Sequence, residues 1–160
     1  MELIKNFLPD DCKCDTHRNF EKGQPSVITI HYVGPFPGQT VSQVREWWEV
    51  SDDEASAHYI IKDDIVLQCW PLAKVAWHAG CKVGNNTSIG IEVIPKNAAG
   101  EFSDRSIATL KELLDSLPHL PIVRHYDWTG KDCPKFYVDR GHWTDLLEKL
   151  GRGQITLPLH

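Results

Sequence analysis

The stretch Arg124-His125-Tyr126-Asp127-Trp128-Thr129-Gly130-Lys131-Asp132-Cys133-Pro134 gathers a histidine, a lysine and a cysteine within a few residues. Imidazole nitrogen and thiolate sulfur are good zinc ligands, but two do not complete a site; a catalytic zinc takes three from the protein and keeps a fourth position open. The rest of the chain must supply another ligand and a group that moves protons. His31, at the end of Ser26-Val27-Ile28-Thr29-Ile30-His31-Tyr32-Val33, is one candidate. On residue type alone it is either a site histidine or a plain strand-end histidine before a loop. Glu92 interrupts the apolar run Ile89-Gly90-Ile91-Glu92-Val93-Ile94. A carboxylate there faces either solvent or a polar cavity, because an unpartnered one is rarely buried. Gly90 leaves room beside it, and a carboxylate in such a cavity can act as a general base. Trp77-His78 is read either as a groove lining, with the indole offering an apolar face, or as a buried Trp beside a surface His.

These residues need a scaffold. Residues 26–33 are dense in β-branched side chains and read as a strand, closed by Gly34-Pro35-Phe36-Pro37-Gly38. Thr40 with Gln43 forms a capping-box pattern for a helix whose stripe runs through Val41, Val44, Trp47 and Trp48, with both aromatics expected in the core. Residues 56–62 and 65–70 read as a hairpin across Asp63-Asp64, and Val75–Gly80 as a short strand entering a Gly- and Asn-rich loop. A strand at 89–95 follows. A helix capped by Ser103 or Asp104 runs to Leu117, and Pro121-Ile122-Val123 leads into His125. A last helix, from Val138 or Gly141, ends at Leu150 with Gly151 as its stop. Interleaved strands and helices around one core predict a single α/β domain.

Composition bounds the rest. A chain of 160 residues, 41% apolar and 24% charged, suits one globular domain with a real core. A net charge of −5 argues against a general nucleic-acid binder, and no apolar stretch is long enough to span a membrane. Met1–Asn6 lacks a basic start before an apolar run, so synthesis in the cytoplasm without a signal peptide is expected. Five cysteines do not suggest a disulfide scaffold. Cys12 and Cys14, with His17 nearby, are too closely spaced for a zinc knuckle and read as a surface loop. Cys69 reads as a core residue, and Cys81 stays open. Residues 1–24 read as an irregular arm packing on the domain, 25–150 as the domain, and 151–160 as a tail.

In chain order, Ile28-Thr29-Ile30-His31, Ser56-Ala57-His58-Tyr59-Ile60-Ile61, Ala76-Trp77-His78-Ala79-Gly80, Asn86-Thr87-Ser88-Ile89-Gly90-Ile91-Glu92 and His125–Pro134 resemble the zinc-dependent N-acetylmuramoyl-L-alanine amidases of the amidase-2 type. The resemblance extends to phage amidase lysozymes and peptidoglycan recognition proteins, and it covers about residues 25–150. It implies a central mixed sheet flanked by helices and one catalytic zinc held by His31, His125 and Cys133. It implies Glu92 and Lys131 as catalytic residues, and Trp77, His78, Asn86 and His58 as substrate-binding. Some relatives carry a catalytic tyrosine near the position of Ala57-His58, so here Glu92 takes the base role. The implied reaction cuts the amide between N-acetylmuramic acid and L-alanine, by a monomer acting on peptidoglycan or muropeptides, with no nucleic-acid or membrane partner. The implied setting is a phage or prophage endolysin reaching the wall after release, or an enzyme of cytosolic wall fragments. A non-catalytic peptidoglycan-binding module of the same fold is the alternative, as is a zinc amidohydrolase for another amide.

Overall fold

The computed structural model describes residues 1–34, 36–153 and 155. Six strands form one mixed sheet: β1 (Glu2–Lys5), β2 (Val27–Tyr32), β3 (Tyr59–Lys62), β4 (Ile65–Gln68), β5 (Ser88–Val93) and β6 (Ile122–Arg124), in the order β1-β4-β3-β5-β2-β6. Only the β3–β4 hairpin is antiparallel; every other neighbouring pair is parallel. The helices are α1 (Val41–Val50), α2 (Lys82–Thr87), α3 (Asp104–Ser116), α4 (His125–Thr129) and α5 (Arg140–Lys149), with a 3-10 turn at Lys135–Val138. The expected α/β fold, a central mixed sheet flanked by helices, is the one observed.

One face of the sheet, and the part of the other that α1 and the arm cover, are apolar, as expected of covered parallel strands. On one face, Ile28, Ile30, Tyr59, Ile61, Ile89, Ile91 and Val93 pack under α3 and α5 through Ile107, Leu110, Leu114, Trp143 and Leu147. On the other, Ile60 and Leu67 pack under Val41, Val44 and Trp48 of α1 and against Leu8, Cys12 and Cys14 of the arm. That second cover stops at β3. Beyond it, the same face presents Thr29 and His31 from β2, with Gly90 and Glu92 from β5 beside them in register. The chemistry sits on this part of the sheet, beyond the apolar cover of α1 and the arm.

Several elements differ from the sequence reading. The arm is not wholly irregular: β1 adds a parallel edge strand against β4, and Cys12 and Cys14 are buried and joined by a disulfide. Charge and the lack of periodicity hid a strand whose pairing partner lies some sixty residues away. Val75–Gly80 is not a strand; the Val75 amide bonds to the Arg18 carbonyl, and the Ser56 amide to that of Trp77. The Gly- and Asn-rich stretch after it is helix α2, whose composition is poor for a helix, and Cys81 is its N-cap, its Sγ accepting from the Gly84 amide at 3.4 Å. Trp47 is 60% exposed while Trp48 is buried, because only the latter continues the stripe of Val41 and Val44. The expected tail falls partly outside the described residues, at 154 and 156–160.

The capping box of α1 is present as read: Thr40 Oγ1 accepts from the Gln43 amide at 3.1 Å, and Gln43 Oε1 from the Thr40 amide at 2.9 Å. Replacing Thr40 with alanine removes the first of these bonds. We expect a loss of about 1 kcal/mol in urea unfolding, with no change in the site's metal affinity.

Candidate active site

His31, Glu92 and His125 each sit at or just beyond the carboxyl end of a strand. His31 lies near the carboxyl end of β2, paired in register with Glu92 on β5. His125 opens α4 directly after β6, and the loop after α4 returns Cys133 to the sheet. That return is anchored locally. Gly130 ends α4 in the left-handed region (φ 77°), where a side chain would be strained. The Tyr126 amide donates to the Cys133 carbonyl at 2.9 Å. Arg124 clamps Asp127 and donates to the carbonyls of Tyr137 and Val138, tying α4 to the 3-10 turn.

His31, His125 and Cys133 are all buried, and one ligand atom of each lies within 4.8 Å of the others. His31 Nδ1 is 3.1 Å from His125 Nδ1 and 3.8 Å from Cys133 Sγ. Two imidazoles and a thiol converging in this way form a group able to hold a metal ion with one position left over. Glu92 Oε1 lies 3.8 Å from His31 Nδ1, on the rim of that group.

Electrostatics fit the same picture. Burial, then the neighbouring His78, His125 and Lys131, holds the His31 pKa well below its ordinary value. Burial and Lys131 bring His125 down to about 4. Burial, then Glu92, pushes the Cys133 thiol up to about 12, a cost that a bound cation reverses by holding the thiolate. The Glu92 side chain is 17% exposed, and burial raises its pKa to about 8 against the opposing pull of Lys131. A carboxyl with this value accepts and returns protons near neutral pH.

A small cavity of about 130 Å³ is lined by these residues together with Tyr32, Trp48, Trp77 and His78. It shares Tyr32, Trp48, Glu92 and Lys131 with a larger groove of about 530 Å³ that is also lined by Gly34, Phe36 and Trp47. The structure therefore places Trp77, His78 and Lys131 at the site. It does not place His58 or Asn86 there. His58 has no exposed surface: its Nε2 donates to the Lys74 carbonyl at 2.6 Å, and its Nδ1 accepts from the Gly90 amide at 3.0 Å. That histidine braces the sheet and cannot meet a substrate. Asn86 lines a separate cavity with Arg18, Glu21 and Gln24, its Oδ1 bonded to Arg18. Within α2 it is Asn85 that turns inward, its Oδ1 accepting from the amides of His78 and Ala79 at 2.9 and 2.7 Å. Sequence reasoning missed Asn85 because the helix that separates the two asparagines was not foreseen. Trp47 was expected in the core, and its exposure on the groove wall was missed for want of the groove.

Residues 21–136 match the family described as N-acetylmuramoyl-L-alanine amidase, and the chain belongs to that family. Among curated relatives, the N-acetylmuramoyl-L-alanine amidase CwlH of Bacillus subtilis (strain 168) is 29% identical over 154 residues, covering 91% of this chain and 59% of the relative. XlyA of the same organism, another N-acetylmuramoyl-L-alanine amidase, is 30% identical over 162 residues, covering 96% and 52%. The chain thus spans somewhat more than half the length of these relatives. Its fold is similar to the solved catalytic domain of XlyA, with a TM-score of 0.77 and 27% identity, over 94% of this chain and all of that one (100%).

The buried imidazoles make the metal-free protein acid-sensitive. Burial lowers His58 to about 4, His78 to about 3 and His125 to about 4, from an ordinary value of 6.5. Between those values the unfolded chain binds protons that the folded chain refuses, so stability falls as the pH drops below 6.5. Glu92 acts in the opposite sense, since its raised value costs stability as the pH rises from 4.5 towards 8. From pH 7 to pH 5 the lowered histidines, His31 among them, outweigh the opposing contribution of Glu92, a net loss of stability. Denaturant unfolding of metal-free protein at the two pH values checks this, with lower stability expected at pH 5.

Proposed function

We propose that this chain hydrolyses the amide between N-acetylmuramic acid and L-alanine in peptidoglycan, using one zinc ion held by His31, His125 and Cys133. The observation that carries the reading is Glu92 standing 3.8 Å from a ligand nitrogen of a buried His-His-Cys group, at the floor of an open groove. Family membership and relatives named for this activity support it. The donor set suits zinc, which favours imidazole and thiolate in a four-coordinate site. Zinc bound there supplies a water acidic enough to act as hydroxide near neutral pH and polarises the carbonyl under attack.

The chain's own residues do the rest. Glu92 takes the proton of the attacking water and hands it to the alanine nitrogen, so that the nitrogen leaves as an amine. Lys131 lines the groove together with Glu92, from where its ammonium would face the oxygen that gains charge at the tetrahedral stage. The larger groove leaves room for a polymeric substrate. We take residues 25–150 as the catalytic domain and the protein as a monomer that degrades cell wall or wall fragments. Among the described residues, no helix is long and apolar enough to cross a membrane.

The test uses purified peptidoglycan, following new amino groups and new reducing ends with and without a chelator. Amines bearing N-terminal alanine, no reducing ends and loss of activity on chelation are expected. Absence of new amines from zinc-loaded protein would overturn the reading in favour of a binding module. Glu92→Gln should retain zinc and lose turnover by about 10²–10⁴-fold. His31→Ala should lose the zinc as well, as metal analysis would show.

A further inference from the structure

His78 is buried beside the site, yet neither the ligand set nor the proton transfers use it. Its ring is held tightly. Its own amide and that of Ala79 are fixed by Asn85 Oδ1. The ring occupies the space a side chain at position 90 would fill, since a Cβ on Gly90 would come within 2.6 Å of His78 Cγ. One ring nitrogen, Nε2, lies 3.1 Å from the Ser88 carbonyl, and the other, Nδ1, lies 2.9 Å from His31 Nε2.

The direction of each bond follows from its surroundings. A carbonyl only accepts, so the bond to Ser88 requires a proton on His78 Nε2. The Ser88 hydroxyl, 3.5 Å from the same nitrogen, cannot supply one, because its single proton goes to the Gly84 carbonyl at 2.6 Å. That hydroxyl accepts instead from Thr29 Oγ1 at 2.8 Å, and Thr29 Oγ1 accepts from the indole N–H of Trp128 at 2.9 Å. Every proton in this buried chain is committed. The ring is buried and, among the described residues, bonds no carboxylate that would support an imidazolium, so it is neutral and its Nδ1 carries a lone pair that needs a donor. The atom within reach is His31 Nε2.

We propose that His78 is a positioning residue for the metal ligand His31: it accepts the His31 Nε2–H and so turns the His31 Nδ1 lone pair towards His125 and Cys133. The relay runs from the Ser88 carbonyl through two imidazoles to the ligand nitrogen. It fixes both the tautomer and the ring orientation of His31, and it raises the basicity of Nδ1 towards a cation. The metal-affinity part of this inference rests on the zinc reading above; the tautomer part does not.

The experiment compares wild type with His78→Leu, which offers no acceptor, and His78→Asn, whose amide oxygen stands near the place of Nδ1. Zinc affinity is read by competition with a chelating dye, and folding by thermal melting. The His31 tautomer is read from imidazole ¹⁵N spectra of metal-free protein. His31 should be protonated at Nε2 in wild type. His78→Leu should bind zinc 10–100-fold more weakly while still folding, the loss typical of an outer-shell partner. His78→Asn should recover most of that loss, which a purely space-filling role would not allow. Wild-type affinity in a folded His78→Leu variant would overturn the proposal, as would His31 protonated at Nδ1 in wild type. If His78→Leu does not fold, the wild-type tautomer decides. If wild-type protein takes up no zinc, the functional reading fails, and the tautomer still decides the relay.

Discussion

The register between β2 and β5 is the constraint on which the site depends. In that parallel pair His31 stands opposite Glu92 and Thr29 opposite Gly90, all on one face. The alternate positions, Ile28, Ile30, Ile89 and Ile91, fill the core on the other. Slippage by one residue would exchange the two sets, burying a histidine and a carboxylate among isoleucines and exposing the isoleucines. The hydrophobic core therefore does more than hold the sheet together. By fixing which residues point away from it, it fixes where the ligand and the carboxylate meet.

The same face is divided by what covers it. Over β3 and β4, α1 and the disulfide-bearing arm seal it with apolar side chains. Over β5, β2 and β6 the cover is polar and thin, and the strands run parallel, so that their carboxyl ends and following loops gather at one edge. His31 and His125 both come from such ends. This is where open α/β sheets place ligands in general, and here it leaves a pocket whose floor is rigid strand and whose walls are loop and helix.

Inside that pocket, a low-dielectric setting makes every proton position consequential. Trp128, Thr29, Ser88 and Gly84 form one directional hydrogen-bond chain, and His31, His78 and the Ser88 carbonyl form another; they meet at Ser88. Neither leaves a buried donor idle. His58, one strand over, performs the same service for the Gly90 amide and the Lys74 carbonyl. Among the described residues the four buried histidines thus fall into two kinds by bonding, His31 and His125, which face the open position, and His58 and His78, which brace what surrounds them.

Much of this was legible in the chain. Period-2 alternation in residues 26–33 and 89–95 is a local property, so it places Thr29 with His31 and Gly90 with Glu92 without knowledge of any partner strand. The capping box at Thr40, the helix from Ser103 and the ordered motif blocks were legible for the same reason, since each depends on neighbours a few positions away. What was not legible depends on distant partners. The strand at Glu2–Lys5 exists because β4 offers it an edge, and α2 exists despite its composition because Cys81 and the packing around Asn85 hold it. The difference between Asn85, which braces the site, and Asn86, which leaves it, is one step around that helix. The motif containing His58 marked it as a site residue, but burial made it a brace. A motif records residue type and spacing, whereas burial and hydrogen-bond direction arise only when separated segments close on one another.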